Sequence, residues 1–336
     1  MSTSNAGKIP YMAQKPNLPP PYWVTTRGRN VIACATACCG GIYFTGYTAL
    51  HTLFLDRYKN VVQLYKHGFR TPLTSETADR CQRVVSDLNL KMKAPDIIEF
   101  FCAFGMDMFH AGSINMRTGS IVGVPRHFSY GSPAHVEKND IMVENKPIEW
   151  GSDGGQLLKD SLVVSERAQK FAIAREIVMT DTHSPYIHGG LGGFALFTYY
   201  CITRTVNDKF YGLARPKSFR VFVYSLVGTF TFGIWATMTD VITKRYEKWA
   251  DERVGSIGLD YAKGGVELYA KTLERNIALR SLMGPNGEKR FTFYGNDVEF
   301  IRQRHIPYTE RKRAMEALAE KLAKINERVE DQMTMS

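Results

Sequence analysis

VIACATACCGGIYFTGYTALHTLFL, residues 31–55, runs for 25 residues without a Lys, Arg, Asp or Glu. As an α-helix it would extend about 37 Å, against a bilayer hydrocarbon core of about 30 Å. An uncharged helix of that length crosses a membrane, and this reading decides the class of the molecule. Val221–Thr239 is a second uncharged run and Pro185–Thr203 a third. The third is softer, because it holds Pro185, His188 and four glycines, and a buried core helix is the alternative there. One charge at the centre of a span costs about 2.5–3.5 kcal/mol on insertion scales. Three charge-free windows in a chain whose residues are 23% charged therefore predict a multi-pass membrane protein with two or three spans.

The net charge of +10 is unevenly placed. Residues 1–55 carry +4 and residues 204–220 another +4, whereas 56–184 hold 16 basic and 16 acidic residues. A nucleic-acid surface would interleave its basic residues with aromatics on one face; these charges flank apolar runs, as topology determinants do. The expected partner surface is the lipid bilayer, with no nucleic acid. Six cysteines give no disulfide framework, since Cys34, Cys38 and Cys39 lie inside the first run and Cys81, Cys102 and Cys201 are scattered. No CxxC occurs to hold zinc. The first 30 residues are polar, basic and proline-rich, with no acid before Asp56 and no apolar signal-peptide core. An acid-free basic leader of this kind suits mitochondrial import.

The fold class expected is α+β and mainly α-helical: membrane spans carrying a soluble body with a small β-hairpin sheet. The chain divides into a Pro-rich basic lead (1–30), a span (31–55), soluble helices with the sheet (56–184), the middle run (185–203), a basic loop (204–220), a further span (221–239), a soluble helical segment (240–308) and an amphipathic tail helix (309–333). Thr74–Asn89 and Pro95–Phe109 read as helices. Ser113–Met116, the turn Arg117-Thr118-Gly119, and Ser120–Val124 read as a hairpin, with Ile141–Val143 a third strand. Ser165 caps a helix to about Thr180, with Ala168, Phe171, Ala174 and Val178 on its apolar face. Asp240–Ser256 and Gly265–Leu282 follow as helices, the second ended by Gly284-Pro285-Asn286-Gly287. Thr309 caps the tail, whose Met315, Leu318, Leu322, Ile325 and Val329 form a seam. Two stripes of small residues at i+4 spacing, Ala33, Ala37, Gly41, Thr45 and Ala49 in the first span and Ser225, Thr229, Gly233 and Thr237 in the last, would let another helix approach closely.

Soluble helices directly flanking spans suggest an intramembrane-anchored metallopeptidase. Such enzymes carry HExxH, whose histidines share one helix face and hold zinc while the Glu acts as general base. The motif is absent here. On the helix from Ser165 the chain reads Ala174-Arg175-Glu176-Ile177-Val178-Met179, with Arg175 and Met179 at the two ligand positions; Arg cannot ligate zinc and Met does so poorly. Downstream stands Glu247-Lys248-Trp249-Ala250-Asp251, an ExxAD pattern. Together with the hairpin Ser113–Val124, these blocks resemble a degenerate member of the HExxH…ExxAD membrane peptidases, which contain the prenyl-protein and heat-shock proteases. That likeness implies a pseudo-metallopeptidase fold in which Glu247 and Asp251 are relics and Arg175 replaces the metal's charge by pairing with Glu247. No catalytic residue, metal site or cofactor is expected. The segment Gly189-Gly190-Leu191-Gly192-Gly193 lacks the context of a phosphate loop and reads as backbone packing.

Two further stretches carry a closer likeness: Ser165-Glu166-Arg167-Ala168-Gln169-Lys170-Phe171-Ala172-Ile173-Ala174-Arg175-Glu176, and Gly264-Gly265-Val266-Glu267-Leu268-Tyr269 continuing through Asn276-Ile277-Ala278-Leu279-Arg280-Ser281-Leu282. With Gly287-Glu288-Lys289 and His305-Ile306-Pro307-Tyr308-Thr309, they resemble the transmembrane protein 177 family over roughly residues 115–312. The resemblance implies a multi-pass protein of the mitochondrial inner membrane. It implies a non-enzymatic role in assembling the respiratory chain, in which newly made cytochrome c oxidase subunit 2 and the chaperone that holds it are the partners. The competing expectation is a membrane-anchored metallopeptidase with an unorthodox site.

Overall fold

The computed structural model describes Tyr22, residues 25–90, 97–210 and 216–334. Most of the predicted Pro-rich lead, residues 211–215 of the basic loop and the start of the predicted Pro95–Phe109 helix lie outside the described residues. From the N-terminus the chain forms α1 (Thr26–Leu50), α2 (Leu55–Val62), a hairpin of β1 (Tyr65–Lys66) and β2 (Phe69–Arg70), and α3 (Ser75–Leu88). Next come β3 (Ile98–Ala103), β4 (Phe109–Gly112), β5 (Ser120–Pro125), a second hairpin of β6 (Met142–Val143) and β7 (Lys146–Pro147), and α4 (Asp153–Ser161). Six helices complete it: α5 (Glu166–Thr180), α6 (Ser184–Lys209), α7 (Lys217–Gly255), α8 (Leu259–Met283), α9 (Pro285–Arg290) and α10 (Tyr308–Thr334). The protein is mainly helical, and α1 and α7 are each long and apolar enough to cross a membrane.

α6 packs between those two helices. Arg29 pairs with Asp208 at 3.0 Å and Tyr224 donates to Asn207 Oδ1 at 2.9 Å, whereas Tyr47 lies against His188 at the opposite end of the bundle. α1 and α7 therefore both run antiparallel to α6. The glycines of α6 act as backbone packing: Gly193 meets Gly40, and a Cβ added at Gly192 would overlap the ring of Tyr43. The two predicted small-residue stripes are not the faces that pack here. Gly41 has no neighbour within 4 Å, Ala37 and Thr45 are exposed, and only Ala33 and Ala49 are half-buried. Ser225, Thr229, Gly233 and Thr237 all point outward, and the contact runs through Gly228, Thr231 and Trp235 instead. Several faces of each helix offer small residues, and the face that closes is the one where Tyr43 has a glycine to lie on.

Below the bundle the body is built around α5. Ser165 caps it as expected, its hydroxyl accepting from the Ala168 N–H at 3.4 Å. Phe171, Ile173, Ile177 and Val178 are fully buried, each contributing about 1.5–3 kcal/mol of apolar burial. They face Val122 and Val124 of β5, Cys81 and Val84 of α3, Val254 of α7, Tyr269 of α8 and Met315 of α10. α3 spans the predicted segment, capped by Thr74 and ended by left-handed Asn89.

Five expectations need correction. Residues 98–103 are a strand and not part of a helix; Ile98-Glu99-Phe100-Phe101-Cys102-Ala103 pairs in parallel with β5, and a strand paired this way reads as a mostly apolar run, interrupted here only by the exposed Glu99. The first strand of the hairpin is Phe109–Gly112, not Ser113–Met116, because Gly112 and Gly119 turn the chain with φ of 81° and 71°. Residues after Gly112 dock on the end of α5, where the Ile114 N–H meets the Thr180 carbonyl at 3.1 Å. Met142 and Val143 pair only with β7, apart from the main sheet of order β3-β5-β4. The predicted helix from Asp240 is the second half of α7, which continues unbroken out of the apolar run. Thr309 is already inside α10; its N–H donates to Asn296 Oδ1 at 3.1 Å, so Asn296 caps that helix.

Candidate functional site

Adjacent positions on α5 place Arg175 and Glu176, and one helical turn of α7 places Glu247 and Asp251 on a common face. The fold brings these four together beneath a cavity of about 610 Å³. Arg175 lies at the centre. Its Nε donates to Asp251 Oδ1 at 3.1 Å, one Nη donates to Glu176 Oε1, and the other stands 3.9 Å from Glu247 Oε1. Arg175 therefore does pair with Glu247, but as the longest of three contacts. Met179, the other would-be ligand position, packs against the apolar core.

Four residues outside the predicted set complete the site. Arg311 of α10 forks onto Asp251, with Nε to Oδ2 at 2.8 Å and Nη2 to Oδ1 at 2.7 Å. Tyr269 of α8 donates its hydroxyl to Asp251 Oδ1 at 2.7 Å. His110, on the edge strand β4, bonds Glu176 Oε2 through Nδ1. His305 approaches Glu247 Oε1 at 2.8 Å, and the Ile306 N–H donates to Glu247 Oε2 at 3.0 Å. No local motif marks these four, since they sit on β4, α8, a loop and α10. The signal was in blocks already quoted: Gly264–Tyr269 ends on Tyr269, and His305–Thr309 begins on His305.

Three carboxylates thus face two guanidinium groups, and all are buried or nearly so. Burial by itself would raise the Glu176 carboxyl, but the adjoining Arg175 charge, with His110, outweighs it and holds the group at about 2. Burial likewise opposes ionisation of Glu247, and the hydrogen bond from His305 with the charges of Arg311 and Arg175 lowers it instead. His305 is correspondingly raised, first by its bond to Glu247. Burial lifts the Tyr269 hydroxyl well above its ordinary range, so it remains a donor.

Chemically the arrangement is closed. A guanidinium has five N–H donors and no acceptor, so Arg175 can neither ligate a metal nor take a proton from water. The carboxylate oxygens that would bind a cation are held by Arg175, Arg311, His110, His305 and backbone N–H. Among the described residues no group of three His, Cys, Asp or Glu side chains is placed to hold a metal ion.

A family model described as Transmembrane protein 177 matches residues 97–328. The chain is similar to transmembrane protein 177 of Homo sapiens, 32% identical over 304 residues that cover 87% of this chain and 94% of that protein. The Danio rerio protein is 32% identical over 283 residues, covering 82% and 89%. The Mus musculus protein is 29% identical over 294 residues, covering 86% and 93%. No solved structure matches. With a family match across most of its length and two helices long and apolar enough to cross a membrane, this chain belongs to the transmembrane protein 177 family.

Proposed function

We propose that this chain is a non-enzymatic assembly factor of the mitochondrial inner membrane, stabilising newly made cytochrome c oxidase subunit 2 together with that subunit's assembly chaperone. Family membership and the acid-free basic leader support the place and the partners. One observation supports the non-enzymatic reading: Arg175 sits among Glu176, Glu247 and Asp251, where a metallopeptidase would need a metal ion with an open position to activate water. On this reading the body is a pseudo-peptidase in which a side-chain cation replaces the metal. The outward small-residue faces of α1 and α7 leave room for a client helix to pack closely.

The test is rescue in cells lacking the protein. Their subunit 2 and chaperone levels should fall, and the wild-type chain should restore both. A His110→Gln, Glu176→Gln variant removes the Glu at the general-base position and its histidine partner while keeping hydrogen-bonding side chains in place, and it should restore both equally. Failure of that variant, at normal abundance and with normal resistance to proteolysis, would refute the non-enzymatic reading. Stoichiometric zinc in purified protein with chelator-sensitive cleavage of a membrane substrate would establish the metallopeptidase alternative.

A further inference from the structure

Asp240 is the first charged residue after the uncharged run Val221–Thr239, and α7 passes through it without a break. It therefore marks the level at which α7 leaves the hydrocarbon. Arg302, distant in sequence, is fixed to this marker by a two-point contact, Nε to Oδ2 at 2.7 Å and Nη2 to Oδ1 at 2.8 Å. Its guanidinium also lies over the ring of Trp235, 6.0 Å from the centroid. Trp235 stands five residues, about 7.5 Å, to the membrane side of Asp240. The segment around Arg302 is thus held at the boundary itself, reaching toward its apolar side.

Directly before Arg302 come Phe300 and Ile301, 96% and 89% exposed, the two most exposed large apolar side chains among the described residues. Two residues span at most about 7 Å of chain, so neither can stray far from the level of Asp240. Charge brackets the pair. Arg304 closes a turn by donating its N–H to Glu299 Oε2 at 2.7 Å, and Arg304 and Lys244 both act electrostatically on Asp240. Apolar tips followed at once by basic residues at a bilayer surface are the pattern of an element seated about 5–10 Å into the headgroup and acyl boundary, and the acid before the pair, Glu299, is turned back onto the Arg304 N–H. A protein partner could cover an exposed apolar pair anywhere; this one is tied to the residue where the helix meets the lipid.

We infer that the 299–304 loop is a membrane-inserted wedge, with Phe300 and Ile301 in the acyl boundary and Arg302 and Arg304 among the headgroups. The loop leads at once into the ionic site, since His305 and Ile306 are the residues that hold Glu247. The bilayer surface and the buried cluster are therefore joined by one short segment. The inference rests on α7 crossing the membrane and is independent of any assembly role.

The experiment places a photoreactive benzoylphenylalanine at position 300 of the full chain, reconstituted into vesicles of phosphatidylcholine and phosphatidylglycerol that contain a tagged phospholipid. Position 230, within the apolar run, supplies the full lipid signal. Position 252, about 18 Å beyond Asp240 along α7, supplies the background. Lipid attachment at 300 should exceed that at 252 at least tenfold and approach that at 230. Attachment at 300 no greater than at 252 overturns the wedge. So does crosslinking of position 300 to protein in whole mitochondrial membranes, if no lipid is taken up there.

Discussion

Arg175 is the residue on which the body's ionic centre depends. Moving charges out of water is costly, and the cost is offset only when every lone pair and proton finds a partner. Here Arg175 touches all three carboxylates, whereas Arg311 forks onto Asp251 alone. Removing it leaves Glu176 with His110 only, and Glu247 with His305 and one N–H. Arg175→Ala should therefore destabilise the body by about 3–5 kcal/mol, the range for breaking a buried pair from one side. Denaturant unfolding of the purified chain in detergent, followed by the signal of the body, would measure it. A loss under about 1 kcal/mol, the range of exposed ion pairs, would mean that water reaches the cluster and that Arg175 does not substitute for a resident cation.

At the scale of elements, the body closes because helices approach α5 without side chains in the way. A Cβ at Gly264 would sit 2.3 Å from the Arg167 carbonyl oxygen, a backbone atom that cannot turn aside. Gly264→Ala should thus force α8 away from the start of α5 and cost about 1–3 kcal/mol, the range for overpacking. Gly258→Ala, at a position with nothing within 4 Å, is the matched control for side-chain overlap. Equal thermal midpoints for the two variants would refute the contact. Helices such as α3 and α5 were legible in the sequence because Thr74 and Ser165 announce their starts and an apolar face follows. β3 was not, because six mostly apolar residues read alike in a parallel strand and a buried helix. Arg175, Glu176, Glu247 and Asp251 were singled out through the likeness of their two helices to the HExxH…ExxAD pattern. His110, Tyr269, His305 and Arg311 were not, because only the packing of β4 and α8 onto α5, and of α10 onto α8 and α7, unites them. The small-residue stripes show the same limit: i+4 spacing identifies a face that can pack, and the partner's shape, here Gly192 beneath Tyr43, selects the face that does.

At the scale of the whole molecule, connectivity determines the number of membrane crossings. α1 leads into α2 and the sheet, which packs with α5; the second half of α7 and α8 pack on that same α5, and α10 packs on α8 and α7. Both α1 and α7 therefore emerge on the side of one body. If both cross the bilayer, the chain must return to the far side between Thr180 and Lys217, and among the described residues α6 is the only element there. Its 26 residues, about 39 Å as a helix, suffice for the passage. Its glycines, tyrosines and His188 lower its hydropathy but face α1 and α7 in part, as with Gly192 and Gly193. Three crossings put the body opposite both the N-terminal lead and the loop after α6. Those two far-side segments carry Lys8, Lys15, Arg27 and Arg29, and the +4 of residues 204–220. On the proposed inner-membrane location, the positive-inside rule assigns them to the matrix and the body to the intermembrane space. Protease added to mitoplasts should then destroy an epitope placed after Ser336 and spare one placed within residues 211–215. The reverse pattern would invert the orientation, and loss of both epitopes would remove α6 from the membrane and with it the three-crossing arrangement.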